Sequence, residues 1–182
     1  STLSSSSAAS DVYKRQAFDE LKLQRSALHR PQDPGRHLWR HIIEFPNNTK
    51  ATRAIDARVW LTGNGWAAAG MLRVAAIISH SPWADKMQAQ HDQLVQWADD
   101  IITAAYQFVD PGTGLLLNAI DDPSTFLDGS GSALLSYAVF RLASMDQGRK
   151  KHVDMAEKAY QTLSKSLNSL SQFTNGIQTV NE

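Results

Sequence analysis

Apolar positions along the chain follow two different patterns. Residues 65–79 (GWAAAGMLRVAAIIS) and 131–145 (GSALLSYAVFRLASM) are apolar nearly all round, as expected for helices buried on every side. Residues 84–109 instead place Met87, Leu94, Val95, Ala98, Ile101, Ile102, Ala105, Phe108 and Val109 on one stripe, which predicts an amphipathic helix. Residues 149–173 do the same with Val153, Ala156, Tyr160, Leu163, Leu167 and Leu170. A shorter mixed segment, 17–29 (AFDELKLQRSALH), is a fifth helical candidate. After that first candidate, the order is inner helix, outer helix, inner helix, outer helix.

The linking segments repeat as well. DPGRHLWRHIIE (33–44) aligns without gaps on DPGTGLLLNAID (110–121), and GNGWAAAGMLRVAA (63–76) on GSGSALLSYAVFRL (129–142). The unit reads as outer helix, Asp-Pro-Gly turn, short extended piece, Gly-x-Gly, inner helix. In the turn, Pro presets φ, Gly accepts positive φ, and Asp bonds its own backbone. Gly-x-Gly lets backbone approach closely at a helix N-terminus, where N–H groups lack helical partners. FTNGIQTVNE (173–182) reads as the start of a third unit. The pattern therefore predicts an array of αα-hairpins, each inner helix covered by its neighbours, with both ends of the chain falling inside a unit. A closed toroid and an open solenoid both satisfy it. The segments before inner helices (30–62 and 110–128) are long and those before outer helices (80–83 and 146–148) short. That asymmetry favours a toroid whose long loops gather at one rim.

Composition narrows the function classes. The 182 residues carry 18 basic and 18 acidic side chains, and a balanced charge gives no basic excess for nucleic acid or an anionic membrane. Cysteine is absent, which removes disulfides, thiolate metal sites and a cysteine nucleophile. No apolar run approaches the ~20 residues of a bilayer span. The absence of cysteine does not fix the compartment, because large secreted domains also fold without disulfides.

The most specific stretch is VWLTGNGWAAAGM (59–71), where Trp60 and Trp66 bracket Gly63-Asn64-Gly65. A sugar site needs flat apolar faces for ring C–H groups and amides or hydroxyls for ring hydroxyls. The same residues are also explained by inner-helix packing for Trp66 and helix capping for Asn64. WLTGNGW resembles the Trp-x-Arg-Gly-Asn-Gly-Trp motif of glycoside hydrolase family 105, the unsaturated rhamnogalacturonyl hydrolases. The related family 88 comprises unsaturated glucuronyl hydrolases. HLWRHIIE (37–44), GLLLNAIDDP (114–123) and FLDGSGSALLSYAV (126–139) resemble further segments of family 105 in the same order. The resemblance covers about residues 17–180 and implies an all-α fold, a partial (α/α)6 barrel of six-hairpin type.

By position, the resemblance implies that His41, Trp60 and Trp66 line a sugar-binding cup, with Asn64 beside them. Thr62 stands where the family motif has an arginine for the substrate carboxylate, and a threonine cannot make that bidentate charged contact. Asp128 replaces the family's usual glutamate. The implied reaction is hydration of a vinyl ether. An aspartic acid protonates C4 of a 4,5-unsaturated uronyl residue, water adds at C5, and the hemiketal opens to release the next sugar. It needs acid and water, hence no cofactor. The family's general acid lies on an earlier hairpin, so the chain is expected to lack it, with no catalytic residue assigned here.

Other polar residues carry weaker signals. Asp121 and Asp122 before Pro123 read first as turn residues, with acid/base chemistry as the lesser alternative; Asp56 sits four residues before Trp60. His29, His37, His80, His91 and His152 show no ligand spacing, and no metal site is expected. Residues 1–16, a serine-alanine run ending in DVYKRQ, read as a non-native or disordered leader, because a codon string that encodes DVYKRQ (11–16) resembles a transposon mosaic end. The domain proper is then 17–182. Two alternatives stay open beside the oligosaccharide-cleaving enzyme: a non-catalytic helical-repeat module that binds a partner, and a family 88-type glucuronyl hydrolase. Unpartnered inner helices also predict self-association.

Overall fold

A computed structural model of the chain describes residues 2–30, 36–44 and 53–170. The first Asp-Pro-Gly turn (33–35) and the predicted third unit (173–182) lie outside these residues. The helices are α1 (Thr2–Leu28), α2 (Leu61–Ser79), α3 (Gln88–Ala105), α4 (Gly129–Met145) and α5 (Val153–Leu170). Two 3₁₀ turns, Ala84–Met87 and Tyr106–Phe108, flank α3. A small antiparallel pair, β1 (Ile42–Glu44) and β2 (Arg53–Asp56), precedes α2.

The predicted alternation is the architecture. The two inner helices α2 and α4 pack on each other; α3 covers α2, and α5 covers α4. The core runs along the inner helices through Leu61, Met71, Leu72, Leu135 and Leu142, and is closed from outside by Leu94, Ile101 and Ile102 of α3. These side chains leave water almost completely, and each such burial stabilises by roughly 1.5–3 kcal/mol.

The Gly-x-Gly motifs explain how closely the inner helices meet. A Cβ at Gly65 of α2 would lie 3.1 Å from Leu134 of α4, and a Cβ at Gly131 of α4 would lie 2.6 Å from Leu61 of α2. The second glycine of each motif therefore admits a leucine of the opposite inner helix. Both motifs sit inside the first turns of their helices rather than before them, because α2 starts at Leu61 and α4 at Gly129.

The extended pieces repeat in backbone detail. The gapless alignment pairs His37 with Gly114, and these two residues have positive φ, 80° and 76°. The fifth residue of the turn, not its Gly112, therefore takes the left-handed conformation. At Gly114 a side chain would also strike the α5 backbone, 2.6 Å from the Ala159 nitrogen. Asp110 closes this turn as expected, accepting from the Thr113 amide and hydroxyl at 2.7 Å each. The copies are stitched together by Leu61 N–H donating to the Asn118 carbonyl and Ile120 N–H to that of Val59.

Helix α1 starts well before the predicted residue 17 and runs through the stretch read as a leader. A serine-alanine run has no apolar stripe, so periodicity cannot register it, although alanine favours helix strongly. At the other end, α5 begins at Val153 rather than at residue 149, with turns at 147–148 and 151–152 before it.

Candidate functional site

The long segments before α2 and α4 meet at one end of the helix pair, and the candidate site lies there. Trp60 is the residue that precedes α2, with extended dihedrals (φ −67°, ψ 125°). Its indole folds back over the first turn, where a Cβ on Gly63 would come within 3.2 Å of the ring. The His41 imidazole leans on this indole, with ring centroids 4.7 Å apart and planes tilted by 52°. Together with Asp56, Arg58, Asn118 and Ala119 they line a cleft of about 110 Å³.

Behind each polar group of the cleft stands a carboxylate. His41 Nδ1 lies 2.9 Å from Asp56 Oδ2. Arg58 grips the same carboxylate through Nε at 3.0 Å and Nη2 at 2.8 Å, and its own amide donates to it at 3.0 Å. The Arg58 guanidinium, with His41 second, holds the Asp56 carboxyl far below the usual carboxylate range. On the opposite wall Asn118 Nδ2 donates to Asp128 Oδ2 at 3.0 Å. Asp128 precedes α4 and caps it, accepting from the Gly131 amide and the Ser130 hydroxyl. Burial alone would raise the Asp128 carboxyl, but the Gly131, Ser130, Asn118 and Thr62 donors outweigh it and hold it low.

The predicted site residues separate into three groups. His41 and Trp60 come together in the cleft. Thr62 does not line it, since its hydroxyl turns to Asp128 at 3.3 Å. Asn64 lies apart from the cleft lining. It is neither the residue preceding the helix nor a wall of the site, but a buried amide inside α2, 1% exposed. Its Oδ1 accepts from Trp39 N–H and its Nδ2 donates to the Trp39 and Trp60 carbonyls, so it pins the extended piece onto the helix. Trp66 is 61% exposed on α2 and does not line the cleft.

Sequence reasoning missed Arg58 and Asn118. The signal for Asn118 was present, because the repeat alignment places it opposite His41. Arg58 had no such marker. Of the weighed carboxylates, Asp121 pairs with Arg30. Asp122 accepts from the Ser124 amide and hydroxyl, chiefly the hydroxyl, which hold its carboxyl below the usual range. Both therefore belong to the turn. His29 and His37, without ligand spacing in sequence, sit 3.4 Å apart. Among the described residues no group of three or more acidic or imidazole side chains is placed to hold a metal ion.

Comparison with known proteins now bears on this geometry. The model of Glycosyl Hydrolase Family 88 matches residues 7–180. None of the curated proteins matches. A solved structure from Klebsiella pneumoniae, described as a possible member of family 105, superposes with a TM-score of 0.70 at 20% identity, covering 84% of this chain and 37% of its own. The unsaturated glucuronyl hydrolase of Bacillus sp. GL1, which degrades glycosaminoglycan, gives 0.60 at 19% identity, with 80% and 38% covered. A family 88 hydrolase from Bacteroides vulgatus gives 0.60 at 18%, with 89% and 44% covered. This chain thus spans about two fifths of the length of these structures and shares their helical-hairpin fold. With a helical-hairpin array of this kind and a family model that runs along nearly the whole sequence, the chain belongs to glycosyl hydrolase family 88.

Proposed function

We propose that the chain forms the sugar-binding face of a hydrolase that removes 4,5-unsaturated uronyl residues from pectin-derived, rhamnogalacturonan-type oligosaccharides. The observation that carries this reading is the Trp60 indole set beside His41 and Asn118 in one cleft. A flat apolar ring flanked by hydrogen-bonding groups suits a pyranose, which offers C–H groups on its faces and hydroxyls on its edge. The substrate carboxylate has no arginine at position 62 to meet. Arg58 lines the cleft, and its Nη1 has no hydrogen bond among the described residues, so that group takes the role here.

A general acid must hold a proton at working pH, which requires a raised carboxyl pKa. Two carboxylates at the cleft are in the opposite state: Asp56 is pulled down by Arg58 and Asp128 by its four donors. This supports a chain that binds the sugar without turning it over alone. A second reading, cleavage of unsaturated glucuronyl residues, is favoured by the family 88 match.

The experiment is a paired titration of the chain with unsaturated rhamnogalacturonan and glucuronyl disaccharides, each also assayed for loss of the double bond. Binding of the first without turnover supports the proposal, and tighter binding of the second supports the alternative. Binding of neither leaves the partner-binding helical module. One further expectation accompanies the proposal: the exposed inner-helix side chains Trp66, Ile77 and Tyr137 drive self-association, tested by sedimentation.

A further inference from the structure

Asp56 has two neighbours and no exit for its charge. Its carboxylate is kept ionised by Arg58, and an ionised carboxylate only accepts hydrogen bonds. The 2.9 Å contact between Asp56 Oδ2 and His41 Nδ1 can therefore form only with the proton on Nδ1. In the neutral imidazole the other nitrogen then carries the lone pair. No group among the described residues bonds to Nε2. The ring leans against Trp60 and borders the cleft, so an acceptor is offered beside the indole face.

The geometry points to Asp56 as a positioning residue that fixes His41 as the Nδ1–H tautomer, so that Nε2 accepts a hydrogen bond from a hydroxyl of the bound sugar. This rests on the sugar-binding reading above for its ligand, but not for the tautomer itself. Without Asp56 the isolated imidazole favours no particular orientation, and with the proton on Nε2 the cleft would present a donor instead. The charged groups around the ring are Asp56, which it touches, and Arg58, which touches Asp56; Asp122 acts on Arg58 from the turn before α4. The opposite wall obeys the same logic. Asp128, also held ionised, must face the NH₂ of Asn118, which leaves Asn118 Oδ1 as the acceptor. Two acceptors beside an apolar ring read a pair of hydroxyl donors.

The test uses the full chain with ¹⁵N-labelled histidine. Long-range ¹H–¹⁵N spectra, recorded at a pH where His41 is neutral, distinguish a protonated ring nitrogen from a bare one. The expected result is a protonated Nδ1 and a bare Nε2 in the wild type. Asp56→Asn should shift His41 to a mixture of tautomers, and Asp56→Glu should restore the original pattern. In a parallel titration with the unsaturated rhamnogalacturonan disaccharide, Asp56→Asn should weaken binding about tenfold. A wild-type spectrum with the proton mainly on Nε2 overturns the proposal, and so does an Asp56→Asn spectrum identical to wild type. The wild-type spectrum decides the tautomer even where a variant does not fold. Absence of sugar binding with the tautomer as expected would count against the functional reading and leave the positioning role of Asp56 intact.

Discussion

In the first copy of the repeated unit a histidine, His41, leads into the strand β1 and an indole, Trp60, stands at the helix entrance. In the second copy the aligned positions hold Asn118 and Phe126. The backbone is the same in both: a left-handed fifth turn residue, an extended piece pinned to the inner helix, and a glycine admitting the opposite leucine. The pinning groups differ. Asn64 holds Trp39 in the first copy, while Ser132 Oγ accepts from the Leu116 amide in the second. Thr62 and Asp128 are aligned as well, yet the threonine donates and the aspartate accepts, at 3.3 Å from each other. The frame is thus duplicated, and the side chains on it have divided the work. The first copy supplies the aromatic face and the second supplies the buried charge that orders the wall.

That division can be broken at four points. The largest effect is expected at the shared left-handed residue. Gly114→Ala meets both an unfavourable φ and the α5 backbone, and should cost about 3–4 kcal/mol by urea unfolding. If it costs no more than an ordinary surface change, the turn is not held as described. Next is the division between Asp128 and Thr62. Asp128→Ala loses a helix cap and leaves Asn118 without its acceptor, for about 2 kcal/mol, whereas Thr62→Ala should cost about 0.5 kcal/mol. Equal losses would contradict the asymmetry.

The third point is the pH dependence of that same carboxylate. Asp128 is held below its unfolded value, so it stabilises the fold above roughly pH 4 and loses that contribution as the pH falls through its folded value. Melting curves from pH 7 to pH 3 should therefore fall less steeply for Asp128→Asn than for the wild type. The smallest effect lies at the aligned partner of Gly114. His37→Gly relieves a positive φ but frees the unfolded backbone, and these nearly offset, leaving a gain of about 0.5 kcal/mol. A loss of stability would mean that the contacts of His37 with His29 and Asp100 outweigh its strain.

Much of this frame was legible from residue patterns, because inner and outer helices differ in how many of their faces are apolar. The repeat was legible too, through Asp-Pro-Gly and Gly-x-Gly. What the patterns misplaced were residues whose role depends on a partner distant in sequence. Asn64 resembles a sugar ligand or a cap until Trp39, 25 residues away, takes its amide. Asp128 looks like a shortened glutamate until Asn118 and Thr62 converge on it. Arg58 carries no motif; its partner Asp56 is only two residues away, and it is the fold that sets the pair beside Trp60 and Asn118 in the cleft. Composition and periodicity report burial, and they are silent on which hydrogen bond a buried amide makes.

The most direct test of the central account compares Trp60 with its aligned partner Phe126. The chain, Trp60→Ala and Phe126→Ala would each be titrated with the unsaturated rhamnogalacturonan disaccharide by calorimetry. Loss of the Trp60 face should weaken binding at least tenfold, or about 1.4 kcal/mol, while Phe126→Ala should bind as the wild type does. Equal affinities for the Trp60 variant and the wild type would contradict a sugar site at this cleft.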